Sequence, residues 1–113
     1  MHELSIVLGI VKIAETETKK ANATRVERIE LEIGSQAGIE FDALDFVWPS
    51  AVEGTVLESA KREITVIEAI GKCLDCDTEF KLLNIYDPCP QCKSYVKGVL
   101  SGKELRIKAL EVA

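Results

Sequence analysis

Cys73-Leu74-Asp75-Cys76 and Cys89-Pro90-Gln91-Cys92 are two C-x-x-C pairs with a twelve-residue spacer, and together they hold all four cysteines of the chain. Each pair offers two thiolates to one ion from a single tight turn. Two such knuckles joined by a hairpin complete a tetrahedral sulfur cage, the geometry zinc takes in structural sites. Pro88 and Pro90 bracket Cys89 and restrict the backbone at that turn. Two other chemistries use the same residues. Iron accepts four thiolates, and two disulfides would form in an oxidising compartment. The segment is too short and too polar to build a core of its own, so metal binding would supply the folding energy that burial cannot.

Outward from the cysteines, the pattern predicts an α+β fold: two helices packed on a small mixed β-sheet, with an inserted four-cysteine zinc-ribbon subdomain. Residues 4–21 predict a helix, with Leu4, Val7, Leu8, Val11 and Ala14 at three- and four-residue steps. Ile6, Ile10 and Ile13 widen that stripe and predict deep packing. Residues 25–33 predict a strand in which Ile29, Leu31 and Ile33 alternate with Arg28, Glu30 and Glu32, leaving one wet face. A second helix is expected over 40–51, with Phe41, Leu44, Val47, Trp48 and Ala51 on one face and Trp48 in the core. Pro49 should kink that helix or end it early. A strand over 62–70, with Ile64 and Val66 on one face, leads through Gly71 into the cysteines. A last strand over 104–112 turns Leu105, Ile107 and Ala109 inward and Arg106 and Lys108 outward. Glu30 and Glu32 oppose that pair of cations in charge, which points to neighbouring strands. The expected organisation is a main domain of residues 1–70 plus 99–113, interrupted by a cysteine module over 71–98.

The chain has 113 residues and a formal net charge of −5. A zinc tetrathiolate makes it more negative still. Such acidity argues against a nucleic-acid partner, and Lys81 is the sole basic residue between Cys73 and Cys92. No basic segment precedes an apolar run after Met1, and no stretch is apolar enough to span a bilayer, so a cytoplasmic protein is expected, without a membrane partner. No nucleophile–base pair is visible, and a single histidine leaves little for acid–base catalysis, so the chain is not expected to be an enzyme.

That histidine is His2. Its imidazole and its own backbone nitrogen can close on one metal, with the Met1 amine or the Glu3 amide adding a further nitrogen. Nitrogen-rich, near-planar chelation suits Ni(II) and Cu(II). Histidine is too large for methionine removal, so the spacing should persist. The alternative is a frayed chain end without a role.

Met1-His2-Glu3-Leu4-Ser5, Leu31-Glu32-Ile33-Gly34, the two C-x-x-C pairs and Ser101-Gly102-Lys103-Glu104-Leu105 together resemble the HypA/HybF family of hydrogenase nickel-incorporation proteins, from first residue to last. The resemblance implies a nickel metallochaperone that loads Ni(II) during [NiFe]-hydrogenase maturation. His2 and Glu3 would be the nickel residues, Glu3 through its backbone amide or by shaping the site. Cys73, Cys76, Cys89 and Cys92 would hold a structural zinc. Implied partners are the GTPase HypB and the hydrogenase large subunit, with a homodimer left open. Two departures stand out. Residues 93–98 contain no histidine where some members carry one, which leaves the Met1 amine, Glu40 or water as further nickel ligand. Ser35-Gln36 replace an acidic-then-apolar pair. The competing expectations are a zinc ribbon that binds another macromolecule, without nickel, and a rubredoxin-like iron protein.

Overall fold

The computed structural model describes residues 2–113. The elements, in chain order, are α1 (His2–Lys20), β1 (Val26–Gly34), α2 (Phe41–Val52), β2 (Lys61–Ile67), β3 (Ile70–Cys73), β4 (Glu79–Lys81), β5 (Lys97–Ser101) and β6 (Leu105–Val112). The strands form two three-stranded sheets, ordered β2-β1-β6 and β4-β3-β5. This is the α+β architecture expected from the sequence. The chain divides into two compact units. The first comprises the residues up to Leu31, Ile39–Ile64 and Arg106–Ala113; the second comprises Glu32–Gly38 and Thr65–Leu105. No helix among the described residues is long and apolar enough to cross a membrane.

In the first unit α1 packs against α2. Its core is made by Val7, Ile10 and Ala14 of α1, Leu44, Val47, Trp48 and Val52 of α2, and Val26, Ile29 and Leu31 of β1. The buried face of α1 is narrower than its apolar composition predicts. Residues 3, 7, 10, 14 and 18 are buried, whereas Leu8 and Ile13 remain about half exposed. Those buried positions follow the helical repeat along one line, and two of them are polar. Thr18 satisfies its hydroxyl by donating to the Ala14 carbonyl at 2.7 Å. Glu3 turns its carboxylate toward α2.

The amino end of α2 explains that orientation. Glu40 occupies the N-cap position in an extended conformation and makes no side-chain cap. The first backbone donors of a helix need an acceptor from outside it. Here Glu3 Oε2 accepts the Glu40 N–H at 3.2 Å, so one helix caps the other. That bond, and the N–H of Glu3 itself, hold the Glu3 carboxyl below its ordinary value against the opposing effect of burial. Pro49 does not end α2 early, since the helix runs on to Val52. The hydrogen bond Pro49 forfeits is to the Asp45 carbonyl, and both residues are exposed, where water can replace it. Trp48 is buried as expected and carries the Arg62 guanidinium 4.9 Å from its ring centre; Arg62 also donates to Asp45.

The polar face of β1 is half-buried rather than wet. Arg28 donates to Glu30 and to Glu63 of β2, both at 2.6 Å, and to Glu111 of β6 at 3.5 Å. One guanidinium thus ties all three strands of its sheet, stays charged, and pulls Glu63 below its ordinary value. Lys108 Nζ lies 3.7 Å from Glu30, on the neighbouring strand that the charge pattern indicated. Leu105, expected to face inward, is exposed, and so is Val66.

The second unit corrects the expected strand over 62–70. The chain leaves β2 at Ile67 and begins β3, in the other sheet, at Ile70. Ala69 at the break is buried among backbone groups. Its N–H donates to Ser35 Oγ at 3.1 Å, and its carbonyl accepts from Leu82 N at 2.9 Å. Gly34 and Gly102 close the same seam. Gln36 N donates to the Gly102 carbonyl and Gly34 N to the Glu104 carbonyl, each at 2.7 Å. A Cβ on Gly34 would stand 2.0 Å from the Gly102 oxygen, and one on Gly102 would stand 2.4 Å from Ala69. Gly102 also has φ +107°, which L side chains disfavour. Two of the segments that carry the family resemblance therefore meet in a backbone seam. Ser35-Gln36, the departure from the usual pair, bonds within it: Gln36 Nε2 donates to the Leu83 carbonyl at 2.9 Å.

Two predictions follow from these packing facts. Gly102→Ala should destabilise the protein by about 3 kcal/mol in denaturant titration, because neither backbone can give way; a loss below experimental error would contradict the seam. Glu3→Gln should lower the melting temperature at neutral pH. The carboxyl of Glu3 is depressed in the folded state, so its stabilisation is present above the unfolded carboxyl value and lost as pH falls through the folded one. The gap between variant and wild type should therefore close on acidification; a gap independent of pH would refute the charged cap.

Candidate metal centres

β3 ends on Cys73, and the chain turns back through residues 74–78 to β4. Asp77, at φ 62°, makes the turn, with its N–H on the Cys73 carbonyl and the Cys73 N–H on the Thr78 carbonyl, both at 2.9 Å. The second knuckle repeats the design. Lys93, at φ 67°, donates to the Cys89 carbonyl at 2.9 Å, and Cys89 N donates to the Ser94 carbonyl at 2.8 Å. Each C-x-x-C is thus wrapped by its own turn, closed by a hydroxyl residue five positions after the first cysteine. The two knuckles are strapped together by Ser94 Oγ donating to Asp75 and by Leu74 N donating to the Val96 carbonyl at 3.0 Å.

The four Sγ atoms converge within 4.8 Å of one another. Cys73 and Cys92 are 3.5 Å apart, and Cys76 and Cys89 are 3.6 Å apart, all as free thiols. A tetrahedron with zinc–sulfur bonds of about 2.3 Å has edges of about 3.8 Å. The donors therefore fit a zinc ion in type, number and spacing. Cys73 and Cys89 are buried, while Cys76 and Cys92 face outward. The protons of the cage leave unevenly. The Thr78 hydroxyl, which lies 3.2 Å from Cys76 Sγ, and the Thr78 N–H bring the Cys76 thiol down to about 6. The Ser94 N–H pulls Cys92 the same way, but Cys73 and Cys76 beside it push it up to about 12. Four thiolates this close need a cation among them, and a divalent ion removes the conflict.

At the other end, His2 opens α1 with its side chain 62% exposed and Nδ1 3.7 Å from Glu3 Oε2. The N–H groups of a first helical turn have no acceptor inside the helix. The Glu3 carboxylate beside His2 reaches the backbone of Glu40, itself one of the candidate further ligands. Met1, whose amine is one of the candidate further ligands, lies outside the described residues.

Nothing near Glu3 in the chain marks it as the cap of the other helix; an acid in a first turn is ordinarily read as serving its own. The hydroxyls beside the cage were missed, although Thr78 and Ser94 sit at the same offset from Cys73 and Cys89. Asp75 had no such signal.

Comparison with known proteins bears on both sites. Residues 1–112 match the family described as HypA, hydrogenase/urease nickel incorporation, metallochaperone. The chain is 43% identical over 112 residues to the hydrogenase maturation factor HypA of Parabacteroides distasonis, covering 99% of this chain and 97% of that protein. It is also 43% identical to the hydrogenase maturation factor HypA of Geotalea uraniireducens, covering 99% of each. The solution structure of the nickel metallochaperone HypA from Helicobacter pylori superposes with a TM-score of 0.69 at 26% identity, covering 97% of this chain and 96% of that one. A second solution structure of a HypA protein gives 0.70 at 28% identity, covering 100% of this chain and 97% of that one. The match spans both units and both candidate centres, and the chain belongs to the HypA family of metallochaperones, which are non-enzymatic factors of hydrogenase maturation.

Proposed function

We propose that this chain binds Ni(II) at its amino terminus and delivers it for maturation of [NiFe]-hydrogenase, with a structural zinc held by Cys73, Cys76, Cys89 and Cys92. The observation that carries the nickel assignment is the pairing of the sole imidazole with an anchored neighbour. His2 is exposed and free to ligate, while the Glu3 carboxylate beside it is committed to the Glu40 N–H. Glu3 then contributes to the metal through its backbone nitrogen, and its side chain fixes the turn that presents it. His2 supplies its imidazole and its backbone nitrogen, a set that Ni(II) favours in near-planar geometry. Amide nitrogens ligate only after losing a proton, so affinity rises with pH. The Met1 amine, the Glu40 carboxylate or water completes the set.

Zinc, when bound, closes the sulfur cage without an open position and so serves structure rather than reactivity. Cys73 ends a strand of the sheet, Cys89 is held by its own turn, and the Ser94–Asp75 and Leu74–Val96 hydrogen bonds hold the two knuckles to one another. We assign nickel to residues 1–70 plus 99–113 and zinc to residues 71–98. The protein acts in the cytoplasm, with the GTPase HypB and the hydrogenase large subunit as partners, and as a homodimer if it self-associates. The family membership supports this reading over a ribbon that binds macromolecules without nickel.

The purified protein should contain about one zinc per chain. Cys76→Ser should lose it and disorder the β4-β3-β5 sheet while retaining most of the helical circular dichroism; full zinc retention would overturn the four-thiolate site. Calorimetric titration should give about one tight Ni(II) per chain. His2→Ala should abolish that binding and leave zinc content and melting unaltered, and undiminished affinity in this variant would defeat the nickel assignment. A Gly-Ser extension before Met1 separates the donors: normal binding assigns the site to the amides, and lost binding that N-terminal acetylation reproduces assigns it to the amine.

A further inference from the structure

α2 buries Leu44, Val47, Trp48 and Val52, and its other side is unusual. Phe46 is 82% exposed. A single exposed apolar residue carries no meaning. This one lies on a stripe with Asp42, Pro49 and Glu53, at steps of four, three and four, and all four residues are exposed. The stripe has no cations. Residues 39–60 contain five carboxylates, Glu40, Asp42, Asp45, Glu53 and Glu58, and no lysine or arginine. Of the two basic residues that follow, Lys61 lies 3.8 Å from Glu63, and Arg62 is committed to Asp45 and to the Trp48 ring, with its side chain 23% exposed. Among the described residues, neither Asp42 nor Glu53 forms a salt bridge.

We infer that this face of α2 is the docking surface for the protein that exchanges nickel with this chain, and that the partner meets it with an apolar pocket rimmed by lysine or arginine. An aromatic anchor ringed by unpaired charge of one sign is the form of a specific protein contact. The charge selects the partner. A second copy placed across a two-fold axis would set carboxylates against carboxylates, and nucleic acid or an anionic membrane would be repelled. Position supports a role in transfer. The stripe begins two residues after Glu40, whose N–H is bound by the Glu3 carboxylate next to His2. A protein seated on Asp42 and Phe46 is therefore held beside the amino end of α1. The exchange of nickel rests on the function proposed above; the docking chemistry does not.

The test uses zinc-loaded full-length protein, with the purified GTPase HypB and the purified hydrogenase large-subunit precursor of the same organism as probes, in calorimetric titrations. Phe46→Ala should weaken binding to at least one of them by about tenfold or more. Asp42→Asn combined with Glu53→Gln should weaken the same interaction and flatten its dependence on salt. Nickel uptake and zinc content should match wild type in both variants, which separates a failure of docking from a failure of the nickel site and from misfolding. Unchanged affinity in both variants overturns the inference, as does wild type that binds neither probe. Loss of self-association in Phe46→Ala by sedimentation velocity, with probe binding intact, overturns it in favour of a second copy.

Discussion

Four sulfur atoms within 4.8 Å of one another cannot all carry charge unless a cation sits among them. The second unit is built on that constraint. Its strands are three to five residues long, too short to supply a core. What holds them is local. Each knuckle is wrapped by a left-handed residue, Asp77 or Lys93, and closed by Thr78 or Ser94. Cys73 is the last residue of β3, so whatever fixes the cage also fixes the central strand of the sheet. The fit of the cage to zinc and the short strands express one balance, in which a bound metal would take the place of hydrophobic burial.

The backbone seam of Gly34, Ala69 and Gly102 shows a different economy. Three chain segments approach too closely there for side chains, and their N–H and C=O groups satisfy one another. Such close contact requires glycine at two positions and a small residue at the third. The motif residues 31–34 and 101–105 thereby acquire a physical reason that lies apart from metal chemistry.

Much of this was legible in the sequence, for reasons that differ by element. β1 announced itself through strict alternation, and α2 through its apolar period. The cysteine spacing named its own geometry. Apolar content misled at α1, because Leu8 and Ile13 are apolar without being buried, whereas Glu3 and Thr18 are buried without being apolar. Period alone cannot choose among adjacent lines where apolar residues crowd, as they do between Leu4 and Ala14. The expected strand over 62–70 breaks at Glu68-Ala69, where Ala69 donates to Ser35 Oγ and accepts from Leu82 N, and these long-range bonds redirect the chain. No window of local sequence contains those partners. The same holds for Glu63 and Glu111, two of the three carboxylates that Arg28 joins, and for Glu3, which accepts the N–H of Glu40. At the amino terminus the fold adds what the sequence does not show, the contact of the Glu3 carboxylate with the Glu40 N–H beside an exposed His2.

That division assigns nitrogen chemistry to one end of the chain and sulfur chemistry to the other. X-ray absorption at the nickel and zinc edges of protein carrying both metals measures it directly. The account predicts nitrogen and oxygen alone around nickel, with an imidazole contribution that disappears in His2→Ala, and four sulfurs around zinc. Cysteine sulfur in the first coordination sphere of nickel, or nitrogen in that of zinc, would contradict it.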